Sequence, residues 1–166
     1  MNKLIILLFF SASVFAQSPS DTLNQVDSKG LKQGRWVKHF PESEFKRYEG
    51  QFKDDQPYGT FVYYFGTGEV RTVLKYTKGN RSTARNYYPD GTLIAIGVYV
   101  GDKKDSTWTY YSAYGEKLAV DYYIVWKLYG NCKKYHINGE ILEEKYFEND
   151  LENGCLFSDC ASCPYS

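Results

Sequence analysis

Residues 27–154 alternate between short runs that favour β-strands and short turns, a pattern that predicts antiparallel hairpins. Residues 61–65 and 107–111 are two such runs, rich in aromatic and β-branched side chains. The dipeptides Asp90-Gly91 and Asn138-Gly139 supply the positive φ that tight hairpin turns require. Beyond residue 16 no stretch keeps a 3.6-residue apolar period, so the pattern predicts an all-β fold.

The predicted turns recur at a fixed period, which is the strongest signal in the chain. Four turn glycines stand 23, 24 and 24 residues apart, and the residues around them keep the same phase. A tyrosine lies four residues before each glycine and an aromatic residue lies eight residues after it. We call residues at the same position in successive copies a column, and the position seven residues before the glycine gives a fourth column. The four columns are Gly68, Gly91, Gly115 and Gly139; Tyr64, Tyr87, Tyr111 and Tyr135; Tyr76, Tyr99, Tyr123 and Phe147; and Phe61, Ala84, Trp108 and Cys132. An earlier copy holds Gly34, Trp36 and Phe52. The period predicts an elongated antiparallel sheet or solenoid of about five tandem β-hairpin repeats of ~24 residues.

This repeat resembles the MORN-type repeat (membrane occupation and recognition nexus), in the variant found in secreted bacterial proteins and in a family of bacterial antitoxins. The resemblance covers about residues 27–154, and the segments 34–36, 59–65, 87–93 and 105–108 carry it. The sequence departs from the motif at Ala84 and Cys132, which replace an aromatic residue, and at Ser43, which replaces a turn glycine. The resemblance implies a scaffold fold, and such scaffolds serve many different partners.

The first sixteen residues have the order of a secretory signal peptide. Lys3 supplies a positive charge, residues 4–10 are apolar, and Val14 and Ala16 are small residues suited to a cleavage site. The apolar run is much shorter than the ~20 residues that span a membrane. We therefore predict cleavage after Ala16, a protein exported to the periplasm or beyond, and no transmembrane segment. Residues 17–26 are predicted to be a linker, and residues 155–166 a Cys-rich tail.

Composition adds one unusual feature, the 17 tyrosines. A sheet without a second layer buries its apolar atoms along itself, and rings stacked between neighbouring copies achieve this. Most tyrosines are therefore interpreted as structural. The 20 basic and 20 acidic residues balance, which argues against nucleic acid as a partner because phosphate recognition needs a basic excess.

Binding candidates come from the positions that vary between copies. Tyr63 and Tyr110 are favoured because other copies replace them with lysine or asparagine, whereas a purely structural column need not vary. Tyrosine and tryptophan are frequent anchors of protein interfaces. Residues 71–88 hold five basic residues and no acid, and residues 140–160 hold seven acids and one lysine, which suggests a surface that steers a charged partner. The candidate binding residues are Tyr63, Tyr110, Trp36, Trp108, Arg71, Arg81 and Arg85.

The four cysteines permit two interpretations. In an exported chain they form disulfides that tie down the end of the repeat array, or they hold a zinc ion as a four-Cys site. Sequence cannot choose among the pairings, and disulfides are favoured over metal. The disulfide candidates are Cys132, Cys155, Cys160 and Cys163.

No catalytic constellation stands out from the sequence. It contains no nucleophile elbow, phosphate-binding glycine loop or zinc-protease helix. We therefore predict a non-enzymatic scaffold without cofactors that mediates protein–protein interaction at the cell envelope. Two alternatives remain open: an antitoxin or immunity protein that neutralises a toxin, as the resemblance implies for some relatives, and a binder of envelope glycans or lipid head groups through peripheral contact.

Overall fold

The computed structural model describes residues 22–77 and 79–155, and these residues form one antiparallel sheet of thirteen strands. The predicted all-β hairpin architecture is confirmed. The predicted signal peptide, residues 17–21 of the linker and residues 156–166 of the tail lie outside the described residues. Within the described ranges, no helix is long and apolar enough to cross a membrane.

The strands follow one another in the sheet in chain order, except that β9 pairs with both β10 and β11. Five hairpins, β2–β3, β4–β5, β6–β7, β8–β9 and β11–β12, correspond to the five predicted copies, and β13 continues the pattern as a partial copy. The strands are β1 Gln25–Val26, β2 Lys32–His39, β3 Lys46–Lys53, β4 Gln56–Tyr64, β5 Val70–Tyr76, β6 Arg81–Tyr87, β7 Leu93–Val100, β8 Lys103–Tyr111, β9 Lys117–Ile124, β10 Lys127–Leu128, β11 Gly130–Tyr135, β12 Ile141–Glu148 and β13 Leu151–Cys155.

The turns of the hairpins lie where the glycine column predicts them. Gly68 has a φ of 103° and its amide donates to the carbonyl of Phe65 over 3.1 Å. In the first copy, where Ser43 stands in the glycine column, Glu42 adopts the positive φ (53°) and the loop is longer. A non-glycine residue thus takes over the left-handed conformation, and the hairpin still closes.

Each hairpin carries a β-bulge at the same column, which strict alternation does not predict. The register shifts by one residue at the start of the returning strand, so that one residue there has no partner. The unpaired residue of the third copy, Ile94, packs against the buried cluster of the sheet. In this copy the bulge therefore turns its extra residue toward the buried face. The residues at this bulge position in the five copies are Arg47, Arg71, Ile94, Leu118 and Leu142.

The core lies on one side of the sheet, which we call face A, and the side that carries Tyr64 is face B. Phe61 and Trp108 are 2% and 1% exposed, and Ala84 is fully buried between their copies. Each ring lies flat on a glycine of the preceding strand. A Cβ on Gly50 would lie 2.4 Å from Phe61, and one on Gly97 would lie 2.2 Å from Trp108. These two glycines let the rings cover backbone that no second layer covers.

Candidate binding surface

Two equivalent clusters of rings lie on face A, one around Phe61 and one around Trp108. In the first cluster, Phe52 meets Phe61 edge-on at 5.1 Å between ring centroids, and Tyr63 lies 6.4 Å from Phe61. In the second cluster the corresponding distances to Trp108 are 4.8 Å and 6.3 Å. The repeat thus builds the same packing twice. The second cluster is formed by Tyr99, Trp108, Tyr110 and Tyr123.

A lysine closes the second cluster. The ammonium of Lys104 lies 4.9 Å from the ring centroid of Trp108 and 5.2 Å from that of Tyr123, and it donates to the Tyr110 hydroxyl over 2.7 Å. Burial lowers the pKa of Lys104. The Tyr123 hydroxyl donates to Asp121 over 3.3 Å. The chain itself therefore engages the hydroxyls of Tyr110 and Tyr123.

Within residues 22–77 and 79–155, no lysine donates to a tyrosine hydroxyl of the first cluster, because Pro57 occupies the position equivalent to Lys104. The ammonium of Lys32 lies over Phe52, 4.7 Å from the ring centroid. Tyr76 instead contacts Phe61 directly, with ring centroids 5.4 Å apart. Tyr48 and Tyr63 lie side by side at 5.8 Å. No hydrogen bond to another described residue engages the hydroxyls of these three tyrosines. The hydroxyl of Tyr63 therefore remains available to a partner, whereas the hydroxyl of Tyr110 at the equivalent position is engaged.

The predicted aromatic candidates differ in their accessibility. Trp108 is almost fully buried and its indole nitrogen donates to the Val98 carbonyl over 3.0 Å, so it is a core residue and cannot contact a partner in this conformation. Trp36 is half-buried beneath the ammonium of Lys32 at 5.0 Å. Tyr110 is half-buried and engaged by Lys104. Tyr63 alone among the four is half-buried with a hydroxyl that no described residue binds.

The predicted basic stretch is divided between the two faces. Arg81, on face B, donates to Asp105 over 2.8 Å and to Ser106 over 2.9 Å, which makes it a structural residue. Arg85 is exposed on face B beside an open depression of about 340 Å³. Arg71 is an exposed bulge residue, and its charge opposes the rise in the pKa of Tyr63 that burial causes. These three arginines therefore do not form one patch.

On face B, Tyr64 belongs to a polar network that joins three neighbouring strands. The Tyr64 hydroxyl donates to the Glu49 carboxylate, which also pairs with Lys46 at 3.0 Å and Arg35 at 3.4 Å. Burial and then this hydrogen bond raise the pKa of Tyr64 to about 12. The same hydrogen bond, followed by the Lys46 ammonium, lowers the pKa of Glu49. In this copy the column ties neighbouring strands together.

The structure narrows the cysteine alternatives. Cys132 is buried on face A with a free thiol, and burial raises its pKa. Its register partner is Lys145, which on its other side faces Cys155. The two cysteine backbones are thus two strand spacings apart, about 9.6 Å. This exceeds the ~7 Å reach of a disulfide, so Cys132 and Cys155 do not pair. Cys160 and Cys163 lie outside the described residues.

The sequence analysis did not identify three residues of the surface around Tyr63, nor the two lysines whose ammonium groups lie over tryptophan rings in other copies. Lys38, Tyr48 and Asn86 are brought beside Tyr63 by the strand register. A signal for the lysines was present, because the two copies with tryptophan are also the two with a lysine four residues earlier. In both copies, Lys32 and Lys104, the ammonium lies over the tryptophan ring.

Comparisons with known proteins place the chain in no family. No protein-family model matches it, and no curated protein matches it. Among solved structures, a mutant of S. aureus TarM in complex with fondaparinux, alpha-GlcNAc-glycerol and UDP is similar over 72% of this chain, with 12% identity and a TM-score of 0.43. The chain spans 21% of the length of that chain. A likeness at this level carries no argument about function.

Proposed function

We propose that the protein is an exported, non-enzymatic repeat scaffold of the MORN type that binds another protein at the cell envelope. The observation that supports this most is the first ring cluster of face A, where Tyr48, Tyr63 and Tyr76 present half-exposed rings and unengaged hydroxyls. Rings of this kind bury a large area at low cost in conformational entropy.

The neighbouring strands favour a protein partner because they hold these rings rigidly. Tyr48 and Tyr63 stand directly opposite each other in the ladder between β3 and β4, and Phe61 lies buried beneath them. Anchors fixed by packing lose little freedom on binding, which strengthens association. The secretory pattern of residues 1–16 supports the envelope as the compartment. Mass spectrometry of the protein isolated from its native organism tests this, and we expect the mass of a chain that starts at Gln17.

The function is tested by capture of the partner from an envelope extract of the native organism on immobilised protein. We expect one protein to be captured saturably, to be displaced by untagged protein in solution, and to be lost when Tyr63→Ala is immobilised instead. The matched control is Arg85→Gln on face B, which should retain capture. Thermal melts of both variants establish that they are folded.

Two results of the capture experiment would contradict the proposal. The first is retention of only glycans or phospholipid vesicles, which would identify a different class of ligand. The second is a protein that untagged scaffold does not displace, since non-specific adsorption gives that result. A displaced partner that proves to be a toxin would specify the scaffold as an immunity protein.

A further inference from the structure

A row of hydrogen-bond donors crosses five neighbouring strands on face A beside the first ring cluster. Directly opposed positions in the ladders from β2 to β6 form this row, and the bulge residue Arg71 lies next to it. We call it the donor row, and its members are Lys38, Tyr48, Tyr63, Thr72 and Asn86. We propose that the donor row, with Arg71, binds an extended acidic segment of the partner protein. This inference rests on the proposed function and specifies the chemistry of the partner.

Apart from Thr72, whose hydroxyl hydrogen is donated to Asn86, the groups of the donor row are free to bind an acceptor. The hydroxyls of Tyr48 and Tyr63 bond to no described residue. The Asn86 side-chain oxygen accepts from Thr72 over 2.9 Å, which leaves the Asn86 amide hydrogens available. Lys38 and Arg71 are exposed and form no ion pair within residues 22–77 and 79–155. The row therefore presents cations and neutral donors without a carboxylate.

The chain contains its own example of what complements such a row. The same row continues through the later copies and ends at β11 and β12, where Lys134 stands opposite Glu143. The ammonium of Lys134 lies 2.6 Å from the Glu143 carboxylate. Lys38 occupies the column of Lys134, but Tyr48 replaces the glutamate opposite it. A carboxylate from a partner would pair with Lys38 in the way that Glu143 pairs with Lys134.

The middle of the same row shows why binding is confined to its first half. Tyr110 occupies the column of Tyr63, yet its hydroxyl already accepts from Lys104 over 2.7 Å. Ala95 and Ala119, on either side of Tyr110, offer no polar group. Beyond β6 the row is therefore either apolar or internally satisfied. The functional difference between the two equivalent ring clusters follows from Lys104 in one and Pro57 in the other.

The length of the donor row fits a short extended peptide. Four strand spacings separate Lys38 from Asn86, about 19 Å, which six extended residues span at about 3.3 Å each. Alternate side chains of an extended segment point the same way, so carboxylates at every second residue would all face the sheet. Burial raises the pKa of Tyr63, so its hydroxyl stays protonated as a donor at neutral pH.

The probe for the test is a fluorescein-labelled peptide in which glutamates alternate with threonines, and its binding to the purified protein is measured by fluorescence anisotropy. The comparison peptide carries glutamine in place of every glutamate. We expect the glutamate peptide to bind and the glutamine peptide to bind at least about tenfold more weakly, because charge-assisted hydrogen bonds are lost. Added salt should weaken binding of the glutamate peptide.

Matched variants separate the donor row from general attraction to positive charge. Arg71→Gln and Tyr63→Phe should each weaken binding of the glutamate peptide, by about tenfold and several-fold respectively. Arg85→Gln, which removes the same charge from face B, and Tyr110→Phe, whose hydroxyl is already engaged, should leave binding unchanged. All four changes are made at side chains outside the buried core, and their melting temperatures verify folding.

Three results would overturn the inference: equal binding of both peptides, an equal loss in Arg85→Gln and Arg71→Gln, or capture of a protein partner that the glutamate peptide does not displace. The last of these leaves the proposed scaffold function standing and removes only the acidic segment. If no protein partner is captured while the peptide binds through the donor row, the proposed function fails and the chemistry of the site stands.

Discussion

Gly97→Ala should lower the free energy of unfolding by about 2–3 kcal/mol, although alanine is ordinarily the better residue in a strand. The added Cβ would lie 2.2 Å from the Trp108 ring, which is buried and has no room to retreat. Overpacking outweighs the smaller gain from restricting the unfolded chain. Urea unfolding followed by circular dichroism measures the change.

Gly66→Ala is the control for this substitution. A Cβ at Gly66 meets no atom within 4 Å, and its backbone does not require a left-handed φ. We expect a change within about 0.5 kcal/mol. A second check combines Gly97→Ala with Trp108→Leu. We expect Trp108→Leu to lower the free energy of unfolding much less in the Gly97→Ala background than in the wild-type protein. Equal stability of Gly97→Ala and wild type would show that the ring does not lie on this glycine.

Trp108→Ala should lower the free energy of unfolding by about 3–5 kcal/mol, the usual cost of removing a buried large ring. The indole packs against Tyr99, carries the ammonium of Lys104 above it and donates to the Val98 carbonyl. Its loss removes all three interactions and opens a cavity in a sheet that has no second layer to collapse onto. Equilibrium unfolding in urea measures the loss.

Tyr114→Ala is the matched control for the loss of a large ring. Tyr114 lies in a turn and is 88% exposed, so its removal should change stability by less than about 0.5 kcal/mol. If Trp108→Ala were as mild as this control, the aromatic column would be a binding feature rather than the core. That result would also return Trp108 to the candidate binding residues.

The hairpin repeat could be predicted because its signals are local. The turn at Gly68 needs a positive φ, which glycine supplies, and the aromatic column recurs with the turn. Phe61 and Tyr64 could be assigned to opposite faces from the two-residue period of a strand alone. Local rules therefore sufficed for the fold, the number of copies and the division of tyrosines between the faces.

The binding surface could not be predicted in the same way, because contacts between strands decide it. Tyr63 and Tyr110 look alike in sequence, yet only Tyr110 lies within reach of a lysine. Arg71 was grouped with Arg81 by composition, but the bulge turns Arg71 toward Tyr63, and Arg81 pairs with Asp105 on the other face. Alternation fails at a bulge, and ion pairs across strands depend on register.

The number of tyrosines has two explanations in the structure. Tyr64 ties strands together through Glu49, and Tyr99 packs against Trp108, so both are needed by a sheet that must build a core within one layer. Tyr48 and Tyr63 lie in other columns and keep their hydroxyls unengaged. The proposed binding surface therefore lies where the scaffold leaves tyrosine hydroxyls without an internal hydrogen-bond partner.

Site-specific photo-crosslinking tests most directly whether a partner binds at the first half of face A. A photoreactive phenylalanine derivative, which keeps an aromatic ring, replaces Tyr63 in the first cluster, Tyr110 in the second cluster, or Thr83, which is exposed on face B. Each variant is irradiated with the captured partner. We predict a strong adduct from position 63 and little or none from positions 110 and 83. A dominant adduct from position 83, or equal adducts from all three, would contradict the account.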